Sequence, residues 1–455
     1  MKVKKRVALA FVSAWVLTIV FAQLYYATPI TSDAFERVRV AEAISQGILP
    51  QSTAIGDGNY NYPLLFDFLL ASFSALLGAQ LFTALNVLSI FIAIATVLTV
   101  FLIAKRLANE KIAAFSTILL FLSPWIFYRF VTSIPETMGI LLFLLVFHTF
   151  SSKKNHSLFP SFFLLSTLLL THYRSFATSV AVLFFYSLFS KKFFALAKVA
   201  LIPTMAFLFL LPKSFQVSNP WVIEGGPLDY FSPFLILLAA AGLFVFLNSL
   251  FEKKEQSEEN AELVLASFVL GSFALIPFAP FVFRQMVYLV FPTVFLGGVF
   301  LEKIVSPLKK KGRVLQIGLL ASSVAISILV LGTILHRAAP FTSNELQTFS
   351  ALKLEEGNVV LAPFTYNYAI PYYSSKKIVV GAFAEGVPDG SQRAYDLWNF
   401  FSKNSSSKLK KEIVSKYNAD ILCLDLEKNK KQEFKEVLGK LLVESQEVAC
   451  YQTLR

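Results

Sequence analysis

From Val7 to Leu335 the chain is built of apolar runs of about 20 residues, each long enough to cross ~30 Å of hydrocarbon as a helix, separated by short polar or basic stretches. The runs predict spans near 7–26, 80–104, 112–128, 134–150, 158–172, 175–190, 193–211, 231–250, 263–280, 283–301 and 314–335, about eleven in all. The first run follows MKVKKR and resembles the start of a signal peptide. Its apolar core exceeds the roughly 7–15 residues of such peptides and no small-x-small cleavage site follows, so it reads as an uncleaved span.

After about His336 the pattern changes. Polar, helix-like segments (344–356, 392–403, 408–417 and 433–444) alternate with short apolar runs at 359–363, 377–383 and 420–426, the signature of helices packed on buried strands. The expected fold is mainly α: a polytopic transmembrane helical bundle over 1–337, with an outer loop at 27–79 that carries a pair of interfacial helices, followed by a small α/β domain over 338–455.

Composition agrees with the pattern. Hydrophobic residues make up 56% of the chain and charged residues 15%, against about 25% charged in ordinary soluble domains. The net charge of +12 comes from basic clusters between apolar runs, with no basic face interleaved with aromatics, so nucleic acid is not an expected partner. The lipid bilayer is. Cys423 and Cys450 exclude a disulfide scaffold and a four-cysteine zinc site, while leaving a single bridge in the tail possible.

Charge also orients the chain. The segment 63–78 (PLLFDFLLASFSALLG) is short for a span and carries Asp67. If it lies in the outer interface with Asp67 at the water edge, eighteen basic residues fall in cytoplasmic segments and only six in the outer loops before the tail. If it spanned, every later loop would invert and the asymmetry would reverse. The expectation is a cell-membrane protein with a cytoplasmic N-terminus and an extracytoplasmic C-terminal domain.

Ionisable residues near the outer ends of spans are the candidates for chemistry, because desolvating them is expensive. The densest group follows the first span: TSDAFERVRVAEAISQGILPQ (31–51), then GNYNYPLLFDFLLA (58–71). Thr31 or Ser32 can cap a helix in which Asp33 and Arg37, four residues apart, face the same side. Further along stand Arg129 and Glu136 around Ser133-Ile-Pro-Glu136, then Thr171-His172-Tyr173-Arg174, and FRQMVYLVFP (283–292) with Arg284 and Tyr288.

The stretch D-x-x-x-R-x-R-x-A-E-x-I-x-x-G followed by a Tyr-Pro-Leu-Leu helix ending in Leu-Gly resembles the C-type glycosyltransferase superfamily (GT-C), which includes oligosaccharyltransferase catalytic subunits, protein O-mannosyltransferases and aminoarabinose transferases. Asp33, Arg39 and Ala41-Glu42 match the family pattern, whereas Phe35, Glu36 and Arg37 stand where relatives often carry Tyr-Tyr-His. The resemblance implies Asp33 as the catalytic acid/base. It also implies substrate contacts from Arg39, Glu136 and the Arg284–Tyr288 segment, with Arg284 on the phosphate of the donor lipid, while Arg37, in place of the family's His, and His172 and Arg174, in a short outer turn, are candidate substrate contacts from their position and chemistry. The donor would be a polyprenyl- or dolichyl-phosphate sugar, and the acceptor a glycan, lipid or protein on the outer face. No D-x-D stands in the first outer loop, so no metal ligand is assigned and no cofactor is expected, a divalent metal remaining open.

Each of these residues also has a plainer reading. Asp33 could only cap its helix, Glu136 only favour a helix N-terminus, Arg129 only pair with Glu136, and Arg284 only snorkel to the interface. Two other functions fit the hydropathy: a lipid-linked glycan polymerase or ligase, and a transporter or flippase. Transporters usually show two related halves with charges near the bilayer midplane, and neither feature is visible in this sequence.

Overall fold

The computed structural model describes residues 32–50, 54–55, 62–120, 123, 126, 129–130, 134–152, 158–210, 233–251, 256–275, 282–305, 318, 341–381, 387 and 389–454. The expected first span at 7–26 and, apart from Gly318, the last at 314–335 lie outside these residues.

Between 81 and 305 helices occupy the predicted apolar runs. Leu81–Leu107 and Met286–Val305 are each long and apolar enough to cross a membrane unaided, while Pro135–Phe150, Leu158–Thr171 and Ala261–Ala274 are among the shorter apolar helices. Helix Leu81–Leu107 ends on Lys105 and Arg106, cations that suit a helix C-terminus. Large apolar side chains such as Phe91, Phe163, Phe194 and Phe209 point out of the bundle, the arrangement a lipid solvent favours. Inside it, small residues let backbones approach. A Cβ on Gly242, in helix Pro233–Phe251, would lie 1.9 Å from the carbonyl oxygen of Leu296 in helix Val290–Val305.

Within the 27–79 segment, helix Ser32–Ser45 and helix Leu65–Leu77 form a pair, packed on each other and on Leu81–Leu107. The second ends where Gly78 turns left-handed (φ 59°) and its amide reaches the carbonyls of Ala75 and Ser74. It exposes Phe68, Leu69, Leu76 and Leu77 on one side and buries Phe66, Asp67, Leu70 and Ala71 on the other. The expectation of Asp67 at the water edge is therefore overturned. Asp67 lies on the protein-facing side, where Arg37 gives it a cationic partner.

Residues 341–454 form an α/β unit around a five-stranded sheet of β1 (Val359–Leu361), β2 (Lys377–Ile378), β3 (Ile421–Asp425), β4 (Leu438–Glu444) and β5 (Val448–Thr453). The order is β2-β1-β3-β5-β4, with β1 parallel to β2 and β3, and β5 antiparallel to both β3 and β4. The unit opens on a capping box at Thr342 and Glu345, which starts helix Ser343–Ala351. Helices Gly390–Phe401 and Ser407–Lys416 fall where expected. The segment 433–444 does not, becoming a short 3-10 turn (Lys431–Phe434) and then β4. Gly439 there brings the chain against the Gln452 carbonyl, 2.9 Å from an imagined Cβ, so pairing with β5 overrides the segment's helix-like pattern. Cys423 and Cys450 sit opposite each other on β3 and β5 and form a disulfide.

The tail shares a core with the outer loop. Phe35, on helix Ser32–Ser45, is ringed by Phe82, Phe341, Tyr372 and Tyr373 at centroid distances of 5.7–6.2 Å. Ile55 forms a parallel bridge with Ile378, and the Ile378 amide donates to the Ala54 carbonyl, so the loop extends the β2 edge.

Candidate active site

Helix Ser32–Ser45 inserts Phe35 into the tail core and Ala34, Val38 and Ala41 into the membrane core. Its arginines are held by this packing. Arg37 is fully buried; its Nη1 donates to Asp67 Oδ2 at 2.9 Å and its guanidinium lies 4.2 Å from the centroid of the Tyr62 ring. Arg39, half-buried, grips Glu36 with a two-pronged fork, Nε to Oε2 and Nη2 to Oε1, both 2.7 Å. The backbone of Asp33 is helical, four residues before Arg37, and its side chain lies outside the described part of the chain.

A second set of residues comes from helices deeper in the chain. Glu136 follows Pro135 at the start of helix Pro135–Phe150 and pairs with Arg129 at 2.9 Å, both side chains buried. The Thr137 hydroxyl donates to the Arg129 carbonyl at 2.8 Å, which fixes the turn before the helix. One turn beyond Glu136, Gly139 allows the next element to come close. A Cβ there would meet Ser175 Oγ at 2.4 Å and His172 Cβ at 3.1 Å.

His172 caps helix Tyr173–Ser190, with Nδ1 accepting from the Ser175 amide at 3.2 Å. The same nitrogen lies 2.7 Å from Ser175 Oγ, which is in turn 2.7 Å from Tyr288 Oη. Tyr288 itself is buried against Phe143, ring centroids 5.1 Å apart. The Tyr62 ring, 6.3 Å from that of His172, joins the two sets. Glu136, Arg174, Arg129 and Arg37 all lie within electrostatic reach of the His172 ring.

The structure thus gathers Arg37, Glu136, His172, Arg174 and Tyr288 of the sequence-selected residues. Arg39 sits on the same helix as Arg37 but is engaged by Glu36. Arg284 lies on the 3-10 segment Val282–Leu289, four residues before Tyr288, and its side chain is outside the described part. Sequence reasoning passed over Tyr62, Asp67, Ser175 and Gly139 as site residues. Asp67 carried a usable signal, since an acid inside an apolar helix needs a buried cation to pair with. Gly139 carried a weaker one, three residues after Glu136 on the same face. For Ser175 there was none.

Three guanidinium groups against two carboxylates, Asp67 and Glu136, leave an excess of positive charge beside a histidine and two hydroxyls, an arrangement that can favour an anionic group. Among the described residues no cluster of three or more His, Cys, Asp or Glu could hold a metal ion.

No protein family and no curated protein matches this chain by sequence. Its likeness is in fold. The oligosaccharyltransferase of Archaeoglobus fulgidus, solved with zinc and sulfate, superposes with a TM-score of 0.66 at 10% identity, over 94% of this chain and 69% of that one. ArnT from Cupriavidus metallidurans superposes at 0.63 and 13% identity, over 97% of both chains. The mycobacterial arabinofuranosyltransferase AftD gives 0.66 at 13% identity over 99% of this chain, which spans 40% of AftD. The fold of this chain is that of the GT-C glycosyltransferases.

Proposed function

We propose that the protein is a multi-pass membrane glycosyltransferase that moves a sugar from a polyprenyl- or dolichyl-phosphate donor to an acceptor on the outer face of the membrane. The observation that carries this reading is the site around His172, where Arg37, Arg129 and Arg174 outnumber Glu136 within electrostatic reach of the ring and Tyr62 links it to Arg37 on the helix that bears Asp33. Such a cationic pocket suits a phosphate that gains charge as the sugar leaves. The fold supports the same donor class: structures of its neighbours include ArnT bound to undecaprenyl phosphate and an archaeal oligosaccharyltransferase with a dolichol-phosphate.

In this mechanism Asp33 takes the proton of the acceptor hydroxyl as its oxygen attacks the anomeric carbon. The bond from that carbon to the phosphate oxygen breaks, its electron pair stays on the phosphate, and the configuration inverts. Arg284 and Arg174 hold the phosphate with planar forks. Arg37 and Arg39, engaged by Asp67 and Glu36, keep the Asp33 helix in place and supply positive potential behind it. The outward face of helix Leu65–Leu77 borders the lipid from which the donor enters.

Purified protein given a panel of lipid-phosphate sugars should glycosylate an acceptor, read by mass spectrometry. Asp33→Asn should lower turnover by about 10²–10⁴-fold, the usual share of acid–base catalysis, while donor binding survives. Normal turnover in a folded Asp33→Asn protein would reduce that residue to a helix cap.

An outward-facing tail is supported by the basic asymmetry of the loops and by the Cys423–Cys450 bridge, which persists in oxidising compartments. In intact cells Ser405→Cys should react with an impermeant thiol reagent and Lys310→Cys should not. The opposite pattern would invert the topology and move the site to the cytoplasmic face.

A further inference from the structure

The Ser175 backbone N–H can only donate, so the His172 Nδ1 that it reaches at 3.2 Å must present a lone pair. A neutral ring then carries its proton on Nε2. Ser175 Oγ, 2.7 Å from the same Nδ1, can donate only to it and accept only from Tyr288 Oη, also at 2.7 Å. The hydrogens therefore run one way, from Tyr288 to Ser175 to His172. Gly139 backs the ring so closely that a methyl there would collide with Ser175 Oγ, and Tyr62 stands on another side. The ring is held in one orientation by groups that all use its Nδ1 side. Among the described residues Nε2 has no hydrogen-bond partner, and the residue keeps a 7% exposure.

A helix cap requires only an acceptor oxygen or nitrogen, and Ser, Thr, Asp or Asn would serve. The histidine cap already places the proton on Nε2, and the hydroxyls of Ser175 and Tyr288 add a second set of bonds on the Nδ1 side that a cap does not need and that holds the ring in one orientation. The ring that bears that nitrogen lies within electrostatic reach of Arg174, Arg129 and Arg37 as well as of Glu136, so cationic groups outnumber the carboxylate around it.

We propose that His172 is a neutral hydrogen-bond donor, through Nε2–H, to an oxygen of a phosphate group at this site, with Ser175 and Tyr288 as positioning residues. The proposal rests on the lipid-phosphate reading given above and adds to it a neutral donor among cations. Such a donor directs one phosphate oxygen without adding charge that would slow release of the product lipid.

The test separates the two ends of the ring. His172→Asn keeps an acceptor able to cap the helix but has nothing at the Nε2 position; His172→Gln places an amide N–H near the Nε2 position and loses the cap. With full-length protein in detergent and undecaprenyl phosphate as probe, the Asn variant should keep its thermal stability and bind about tenfold more weakly, the size of one hydrogen bond to a charged group. The Gln variant should bind within about threefold of wild type while melting lower. A purely structural histidine predicts the reverse order, and Asn binding as tight as wild type overturns the proposal alone. If wild-type protein binds neither undecaprenyl phosphate nor inorganic phosphate, the donor reading falls with it. Inorganic phosphate at millimolar concentration forms the second arm: competition that depends on His172 assigns the site to free phosphate, and failure to compete assigns it to the lipid-borne group. Should the Asn protein not fold, Ser175→Ala serves instead, with a several-fold loss of binding expected and no loss counting against the proposal.

Discussion

Two populations of ion pairs share this chain and differ in everything except chemistry. At the candidate site, Arg37–Asp67 is wholly buried (0% and 0% exposed) and Arg129–Glu136 nearly so. On the tail surface, Lys408–Glu412 is 4.0 Å apart with side chains 89% and 60% exposed, and Lys411–Glu436 is similar at 3.6 Å. Water screens the second kind, so each pair contributes little. The first kind sits where no water compensates a lost partner, and breaking one strands a charge. Burial of charge, rather than its density, therefore marks the proposed site.

The sharpest test of the contrast is Asp67→Asn, which removes the Asp67 carboxylate from the fully buried Arg37 guanidinium. It should destabilise the protein by about 3–5 kcal/mol, seen as a lower melting temperature in detergent, whereas the double change Arg37→Met with Asp67→Leu should recover much of the loss. A single variant no worse than a surface change would erase the distinction between the two populations.

Next in size is the tail's covalent tie. Cys423→Ser with Cys450→Ser opens a bridge spanning 27 residues of sequence and should cost about 2–4 kcal/mol, with faster proteolysis of the tail as the readout. The bundle helices should keep their protease resistance. Loss of both together would show that the tail and bundle unfold as one unit.

Between the two extremes lies Asp396, a partly buried tail carboxylate. Burial works to raise its pKa, but hydrogen bonds from Lys416, Tyr417 and Gln392 outweigh this and hold it below the usual carboxylate range. A depressed carboxylate stabilises the fold above its unfolded pKa, and that stability is lost as pH falls through the folded value. Tail stability should thus decline on acidification below about pH 4. In Asp396→Asn this part of the decline should disappear, as a pH series of melting temperatures would reveal. Smallest of all, Lys408→Ala should change stability by less than about 0.5 kcal/mol, and a larger effect would mean that surface pairing in the tail matters more than its exposure allows.

Much of this architecture was legible in the sequence because lipid imposes one rule on every span. Runs such as 134–150 and 158–172 could be placed within a few residues, since unbroken apolar runs of 15–17 residues have few other uses than a buried or membrane helix. The helix-cap chemistry at Thr342 and the buried strand at 420–426 were equally local. What escaped was non-local. Arg37 bonds to Asp67, thirty residues away on a different helix, a partner that the helical spacing around Arg37 does not announce. The segment 433–444 had helix-like polarity and yielded to pairing with β5, which no local pattern announces. The role of Ser175 depends on Tyr288, a contact across 113 positions of sequence.

The aromatic cage around Phe35 ties the beginning of the chain to its end, and synthesis proceeds in that order. Helix Ser32–Ser45 emerges first, but Phe341, Tyr372 and Tyr373 are translated only after the membrane helices. Until they arrive, a large aromatic side chain beside the proposed general base has no finished pocket, and the Ile55–Ile378 bridge has no second strand. Contacts of such long sequence separation form late and slowly. A ribosome-bound or truncated chain lacking residues 341–454 would therefore hold helix Ser32–Ser45 unclamped, so that its final docking waits for the tail.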